Sequence, residues 1–457
     1  MLTPQKAGLL QAYLGSLPAN LAARLAKAIE VDRLTDGAIL PHELILDGLR
    51  PILSRGTIQP QDRTPTPLRL FCRPFEDILT SAPRVTKQKG RIARSSIMPV
   101  WNWVTMRLIP KASHAYVSEL KSLLVSYRAD EAKERAIVFW TDASAAMRDA
   151  LATEAGRKQV ESIFKDNLAV ADAGEMALLL SAGAQVLELQ DKLPKPIPSF
   201  TPDLVTDSRA IYERLIQSTP DAAPYVVVIV MNRLARRWEA LRLAVFISGK
   251  PRDTLIASTD VGLAGDILFA DLAALSQAVR SAKHPRFDAE ALVENVASFA
   301  ELSSAIVKEL ELRRDGRWGQ SLLKDRAEIG EVMDSFMERA PKEVENAFPS
   351  KKNSTRAVDP EKIERAIRYA TLVAGCRPFA AAASFAASLK DAQDEIVGHL
   401  RNVNDDMLWE LRNAEEARRP LVQDQFALAA ELTSILCGED EAEVLRRRGR
   451  NARPVAA

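Results

Sequence analysis

The stretch AAPYVVVIVMNRLARRWEALRLAVF, residues 222–246, decides between an all-α chain and one that contains strands. Its run YVVVIV, Tyr225 to Val230, is rich in β-branched residues, which favour a strand. Apolar residues nevertheless continue at helical spacing beyond the run, and no neighbouring segment offers a partner strand. We therefore predict a buried helix at this position. The continuing spacing is carried by Leu234, Trp238, Leu241 and Val245.

The same periodicity of three and four residues extends outward through most of the chain. Proline stands where several of these periodic segments begin, as at Pro4, Pro18 and Pro41, and proline is favoured at the first position of a helix. The sequence therefore predicts an all-α fold, a multi-helical bundle of antiparallel helical hairpins that could form two packed subdomains.

Proline content suggests how the chain is divided. The segment LPKPIPSFTP, residues 193–202, is too rich in proline for a helix and is the best candidate for an extended connector. We predict an N-terminal helical region at 1–193 that includes a basic, irregular segment at 56–110. A C-terminal helical bundle is expected at 203–437, followed by a basic, disordered tail at 438–457.

Composition indicates a folded protein of the cytoplasm. Of 457 residues, 47% are hydrophobic and 27% are charged, which is typical of a globular chain with a core. Three scattered cysteines, Cys72, Cys376 and Cys437, argue for a reducing compartment. The first ten residues do not resemble a secretory signal, and the longest apolar run, Ala222 to Met231, is about half the length of a membrane span. We expect a cytoplasmic protein with no transmembrane segment.

Positive charge is concentrated towards the N-terminus. Residues 1–110 hold 15 Lys and Arg against 8 Asp and Glu, a net charge of +7, so the remainder carries −6 of the total +1. This imbalance permits two interpretations, namely an anionic partner for the basic part or a contact between the two parts of the chain.

The most basic segment is RVTKQKGRIARSSIMPVWNWVTMR, residues 84–107, which holds six cations, no acid and two tryptophans. Cations beside aromatic rings suit nucleic acid, since the cations displace counterions and the rings stack on bases. The same composition suits an anionic membrane surface, or a solvated loop followed by a helix that packs on the core. The candidate polyanion-binding residues are Arg84, Lys87, Lys89, Arg91, Arg94, Trp101 and Trp103.

The C-terminal tail repeats this basic character. No acid follows Glu443, whereas arginines are frequent beyond it. These arginines extend the polyanion hypothesis to a second segment. The candidate residues there are Arg446, Arg447, Arg448 and Arg450.

Motifs that carry chemistry are missing from the sequence. The four histidines are scattered, and there is no Cys-x-x-Cys pair, Walker phosphate loop or Gly-x-Ser-x-Gly elbow. We predict no metal, no cofactor and no catalytic residue. The sequence favours a protein-interaction or scaffold module with a protein partner of unknown identity. Nucleic-acid or other polyanion binding is the alternative, and an enzyme whose site is assembled only in the folded chain is a second alternative.

Overall fold

The computed structural model describes residues 10–34, 42, 44–46, 48–49, 66–82, 86–126, 128–282, 284–348, 359–416 and 418–452. Within these ranges the chain is built from helices, and the strands form a two-stranded ladder of two residues each. The predicted all-α class is confirmed. The chain divides into two compact units, Met1–Ala240 and Leu241–Ala457.

Two helices, Ala129–Leu151 and Asn167–Ser181, pack against each other at the centre of the first unit. Its α-helices are α1 Ala19–Leu34, α2 Pro67–Cys72, α3 Ile97–Trp103, α4 Pro110–Val125, α5 Ala129–Leu151, α6 Glu154–Phe164, α7 Asn167–Ser181, α8 Gly183–Lys192, α9 Pro202–Ser218 and α10 Pro224–Arg233. Short 3-10 turns lie at Arg73–Ile78, Arg94–Ser96, Pro220–Ala222 and Arg237–Ala240, and a π turn lies at Val104–Leu108. Strand β1, Leu79–Thr80, pairs in parallel with strand β2, Ile92–Ala93.

The valine-rich run forms a helix, as its surroundings predicted. Helix α10 begins with Pro224 in its first turn, and the side chains from Tyr225 to Met231 are at most 1% exposed. A helix that is apolar on all sides is stable only inside a core, which is where α10 lies. It ends at Arg233, so the apolar spacing beyond it belongs to a 3-10 turn and a separate helix.

The proline-rich connector is not helical, as predicted, but it lies inside the first unit. The Ile197 amide donates to the Arg233 carbonyl at 2.7 Å, and the Ala235 amide donates to Ile197 at 2.9 Å. Arg233 in turn donates to Asp77 at 2.8 Å, and both side chains are at most 2% exposed. These contacts join both sides of the connector, so the compact units divide at Ala240 rather than near residue 193.

The helices of the second unit pack mainly on helices one or two positions away in the sequence. They are α11 Leu241–Ser248, α12 Asp253–Ala257, α13 Gly262–Ser281, α14 Ala289–Glu309, α15 Arg317–Glu345, α16 Pro360–Cys376, α17 Ala386–Asn413, α18 Arg419–Cys437 and α19 Glu439–Asn451. Helix α13 packs on α14 and α15, α15 packs on α16 and α17, α17 packs on α18, and α18 packs on α19.

The tail expected to be disordered at 438–457 is helical through most of its length, as α19. Acidic residues occupy the first turn of α19 and arginines the last, an order that favours a helix through its dipole. Leu445 and Gly449 are buried, and the Phe426 ring would lie 2.4 Å from a β-carbon placed on Gly449. This close packing anchors the helix. Residues 453–457 lie outside the described ranges.

One helix of the described residues is long and apolar enough to cross a membrane. This is α13, and 56% of its apolar window is buried inside the protein. Together, α7 and α8 pass the same criterion, but they are bent by 76° relative to each other. Because the core helix of a globular protein passes the same test, neither result is strong support for a membrane span.

Candidate functional site

Two buried carboxylates hold the basic segment against helix α7. Asp172 is fully buried and Glu175 is 7% exposed, and both lie on the face of α7 that meets residues 87–96. The Lys87 ammonium lies 2.8 Å from an Asp172 oxygen, also pairs with Glu175, and donates to the Arg91 carbonyl at 2.6 Å. The Lys87 ammonium thus has three acceptors, and its positive charge is compensated by carboxylates of the protein itself.

The remaining carboxylate oxygens of this network are also hydrogen-bonded. Asp172 accepts from the Ala93 amide at 3.1 Å and the Ser96 hydroxyl at 2.6 Å. Glu175 accepts from the Gly90 amide and from the Tyr225 hydroxyl, both at 2.5 Å. Burial, and then the Glu175 charge, raise the pKa of Tyr225 well above its usual range, so this hydroxyl remains a donor. The network therefore fixes the conformation of residues 87–96.

The other predicted cations of this segment have different positions. Lys89 is exposed, with its ammonium 6.0 Å from the centre of the Tyr225 ring. Arg91 is half-buried, whereas Arg94 is exposed. Arg84 lies outside the described residues.

Both tryptophans of the segment pack within the first unit. The half-buried Trp101 ring lies 5.1 Å from Phe71 and 6.3 Å from Phe139, centre to centre. Trp103 is 3% exposed and meets the Phe164 ring edge-on at 5.5 Å. Trp103 is therefore not placed to stack on an external base.

A surface strip runs along the outer side of the same helical segment. Val100, Trp103 and Val104 are buried, and this inward spacing turns Met98 and Met106 outward, where they are 50% and 70% exposed. The π turn lies between Trp103 and the start of α4, and its wider hydrogen bond joins the Ile109 amide to the Val104 carbonyl at 3.0 Å.

Exposed cations accompany the two methionines. Arg94 precedes Met98, and Arg107 and Lys111 follow Met106, all three with exposed side chains. No Asp or Glu occurs in the sequence between Asp77 and Glu119. Among the described residues, none of these three cations forms an ion pair. We call Arg94, Met98, Met106, Arg107 and Lys111 the methionine strip.

The predicted arginines of the tail lie in the second unit, on α19, and most are paired with acids of that helix. Arg446 pairs with Glu439, while Arg447 and Arg450 bind Glu443 at 3.1 and 2.9 Å. Arg448 differs from these three, because it has no ion pair with any described residue. It lines a groove between α17 and α19. The tail is therefore less cationic at its surface than its arginine content suggests.

No group of three or more His, Cys, Asp or Glu side chains that could hold a metal ion occurs among the described residues. Comparison of the chain with protein-family models, with curated proteins and with solved structures finds no match.

Sequence reasoning missed the two acids of α7 and the two exposed methionines. Asp172 and Glu175 did leave a signal, because they stand three residues apart in the otherwise apolar stretch NLAVADAGEMALLLS, 167–181. Acids on the apolar side of a helix require partners, and the most basic segment of the sequence, although its Lys87 lies 85 positions before Asp172, offers cations with no acids of its own. Met98 and Met106 left no comparable signal, since helical spacing alone does not show which side of α3 is covered.

Proposed function

We propose that this protein is a non-catalytic interaction module, and that its methionine strip binds an acidic, amphipathic helix of a protein partner. The single observation that carries the proposal is the pairing of two strongly exposed methionines with three exposed cations that have no acidic neighbours in the sequence.

Methionine suits a binding surface of this kind. Its unbranched, polarisable side chain adapts to different apolar partners, and methionine is enriched at protein interfaces. Met98 on α3 and Met106 in the π turn are eight positions apart, a separation of about two helical turns. Two turns of a partner helix cover a similar distance, so its apolar residues at positions i and i+7 would match the two methionines.

Charge selects the partner. In sequence order Arg94 precedes the two methionines, and Arg107 and Lys111 follow them, so we expect a partner that covers the methionines to meet cations on both sides. An acidic partner is attracted by this arrangement and a basic partner is repelled. Residues 87–96, which include Arg94 and lead into α3, are held in a fixed conformation by the network on α7. This supports the proposal for the Arg94 end of the strip, because a rigid surface loses less entropy on binding than a flexible one.

The test uses a labelled peptide of about 18 residues, long enough for an amphipathic helix, with leucine on one face and glutamate elsewhere. We expect saturable binding in fluorescence anisotropy, weakened about tenfold or more by Met98→Ser combined with Met106→Ser. Val138→Ser is the matched control, since Val138 is 55% exposed on α5 of the same unit and should leave binding unchanged. A peptide with lysine in place of glutamate should not bind.

Two further probes distinguish the other interpretations. A single-stranded oligonucleotide and vesicles with anionic lipid are tested across a salt series, with wild type and a variant in which Lys89, Arg94, Arg107 and Lys111 are alanine. Lys87 is left unchanged because it stabilises the fold. Stronger binding to the oligonucleotide, with a steep salt slope that the variant loses, would replace the proposal with nucleic-acid binding. Preference for vesicles would replace it with a membrane-surface function.

A further inference from the structure

A groove in the second unit is lined by cationic and anionic side chains that form no ion pairs with each other. Helices α17 and α19 contribute most of its lining, α18 contributes Thr433, and its volume is about 490 Å³. A cavity of this size accommodates a small organic ligand. Its lining is Arg401, Asn404, Asp405, Leu408, Thr433, Asp440, Glu441, Val444, Leu445 and Arg448.

The charges in the groove differ from those on the rest of α19. Outside the groove, the arginines of α19 bind acids one or two turns away. Inside it, Arg401 and Asp405 stand one turn apart on α17, a spacing that favours an ion pair, yet they form none. Arg448 and Asp440 likewise have no ionic partner within the described ranges.

The groove also offers polar and apolar contacts. Asn404 donates to the Thr433 hydroxyl at 3.3 Å, and Thr433 donates to the Ala429 carbonyl at 2.7 Å. Leu408 and Val444 belong to the same lining, and Val444 is 50% exposed. A ligand that enters would therefore cover apolar surface as well as reach charged groups.

We infer that this groove binds a small dipolar ligand that carries amino and carboxylate groups, such as a short peptide or a basic amino acid. Two arginines suit the carboxylate, because the guanidinium group binds a carboxylate through two parallel hydrogen bonds. Three carboxylates, those of Asp405, Asp440 and Glu441, suit one or two ammonium groups. This site is independent of the methionine strip.

Cys437 provides a reporter beside the groove. Burial and then the charge of Glu441 raise the pKa of its half-buried thiol, while Arg401 lowers it. Both of these residues line the groove, so a bound ligand should slow alkylation of this thiol.

The probe is lysylglycine, which has two ammonium groups and one carboxylate. We expect it to raise the Tm of the full-length protein and to slow the labelling of Cys437 by N-ethylmaleimide. Cadaverine, which lacks the carboxylate, and acetylglycine, which lacks the amine, should each bind about tenfold more weakly or worse. Equal effects of the three compounds, or no effect of lysylglycine, would overturn the inference.

Substitutions give a second and independent test. Arg448→Ala and Asp405→Asn should each weaken lysylglycine binding about tenfold, since each removes one charge from an exposed position of the groove. Arg447→Ala is the matched control, because Arg447 is an exposed neighbour on α19 that binds Glu443 instead. Binding that is unchanged in Arg448→Ala, or reduced as much in Arg447→Ala, contradicts the assignment. Circular dichroism verifies the helical content of each variant.

Discussion

The Lys87 ammonium lies 2.8 Å from the carboxylate of Asp172, which is fully buried. Replacement of Lys87 by methionine would leave Asp172 and Glu175 without their cation. We expect Lys87→Met to lower the free energy of unfolding by about 3 kcal/mol, the usual cost of breaking a buried pair. Urea denaturation measures this change.

Lys89→Met is the control for that experiment, because Lys89 is exposed and two residues away. Its effect should stay within about 0.5 kcal/mol. Equal effects of the two substitutions would show that the Lys87 pairs do not stabilise the fold. Adding Asp172→Asn to Lys87→Met should restore part of the lost stability, since it removes one of the two unpaired charges.

Asp325 on α15 is a source of instability near neutral pH. It is buried, one carboxylate oxygen has no hydrogen-bond partner among the described residues, and burial followed by Glu328 raises its pKa. Because the pKa of Asp325 is higher in the folded chain than in the unfolded chain, its contribution to stability is complete below the unfolded pKa. This contribution is lost as the pH rises through the folded pKa. Asp325→Asn should therefore stabilise the protein by about 1 kcal/mol near pH 7. Urea denaturation at several pH values should show this gain shrinking towards acid pH, and a constant gain would contradict the explanation.

His284 gives the opposite dependence on pH. Its Nδ1 lies 2.6 Å from the Tyr369 hydroxyl, its Nε2 lies 3.4 Å from the Ser335 hydroxyl, and its ring centre is 3.9 Å from that of Phe336. Burial, and then the charge of Arg339, lower the pKa of His284. Because the folded pKa lies below the unfolded one, the stability contribution is complete above about pH 6.5 and is lost as pH falls through the folded pKa.

The measurement for His284 compares wild type with His284→Gln, which cannot be protonated. The difference in unfolding free energy between the two proteins should decrease as pH falls below about 6.5. A difference that is the same at every pH would show that the ring does not titrate differently in the folded and unfolded chains.

The close packing of Gly265 against Trp318 predicts a strong effect of a single methyl group. A β-carbon at position 265 would lie 2.3 Å from the Trp318 ring, which is 3% exposed and stacked on Phe269 at 5.4 Å. Gly265→Ala should destabilise the protein by about 2 kcal/mol through overpacking. Gly174→Ala is the control within a helix, because nothing lies within 4 Å of its β-carbon and alanine is the better helix former. Thermal unfolding should show a fall in Tm for the first variant and none for the second.

The three thiols should differ in reactivity. Burial raises the pKa of Cys72 to about 12, with a further contribution from Glu76, and burial raises that of Cys376 to about 12. Cys437 is half-buried, and its pKa is raised by burial and by Glu441. We expect N-ethylmaleimide to label Cys437 first and the other two only on unfolding, as followed by peptide mass spectrometry. Rapid labelling of Cys72 in the native protein would contradict its burial.

The helical spacing of apolar residues predicted the fold class, because each helix depends mainly on the sequence pattern within its own segment. The prediction was confirmed even for the valine-rich α10. It did not predict the division of the chain, since the Arg233–Asp77 pair that holds the connector in the first unit joins residues 156 positions apart. For the basic segment, the sequence permitted either an anionic partner or an internal contact. The structure shows an internal contact at Lys87, while Arg94 remains exposed.

The Arg233–Asp77 pair has a practical consequence for dividing this protein into parts. A fragment that stops within the proline-rich connector would keep Asp77 and lose its buried partner Arg233. Asp77, whose side chain is 1% exposed, would then retain at most Lys195, which is 35% exposed, as a cation. A fragment that continues through Ala240 keeps Asp77 and Arg233 together. A portion of the N-terminal half that keeps both this pair and the whole first compact unit therefore extends almost 50 residues beyond the boundary that its prolines suggest, from 193 to 240.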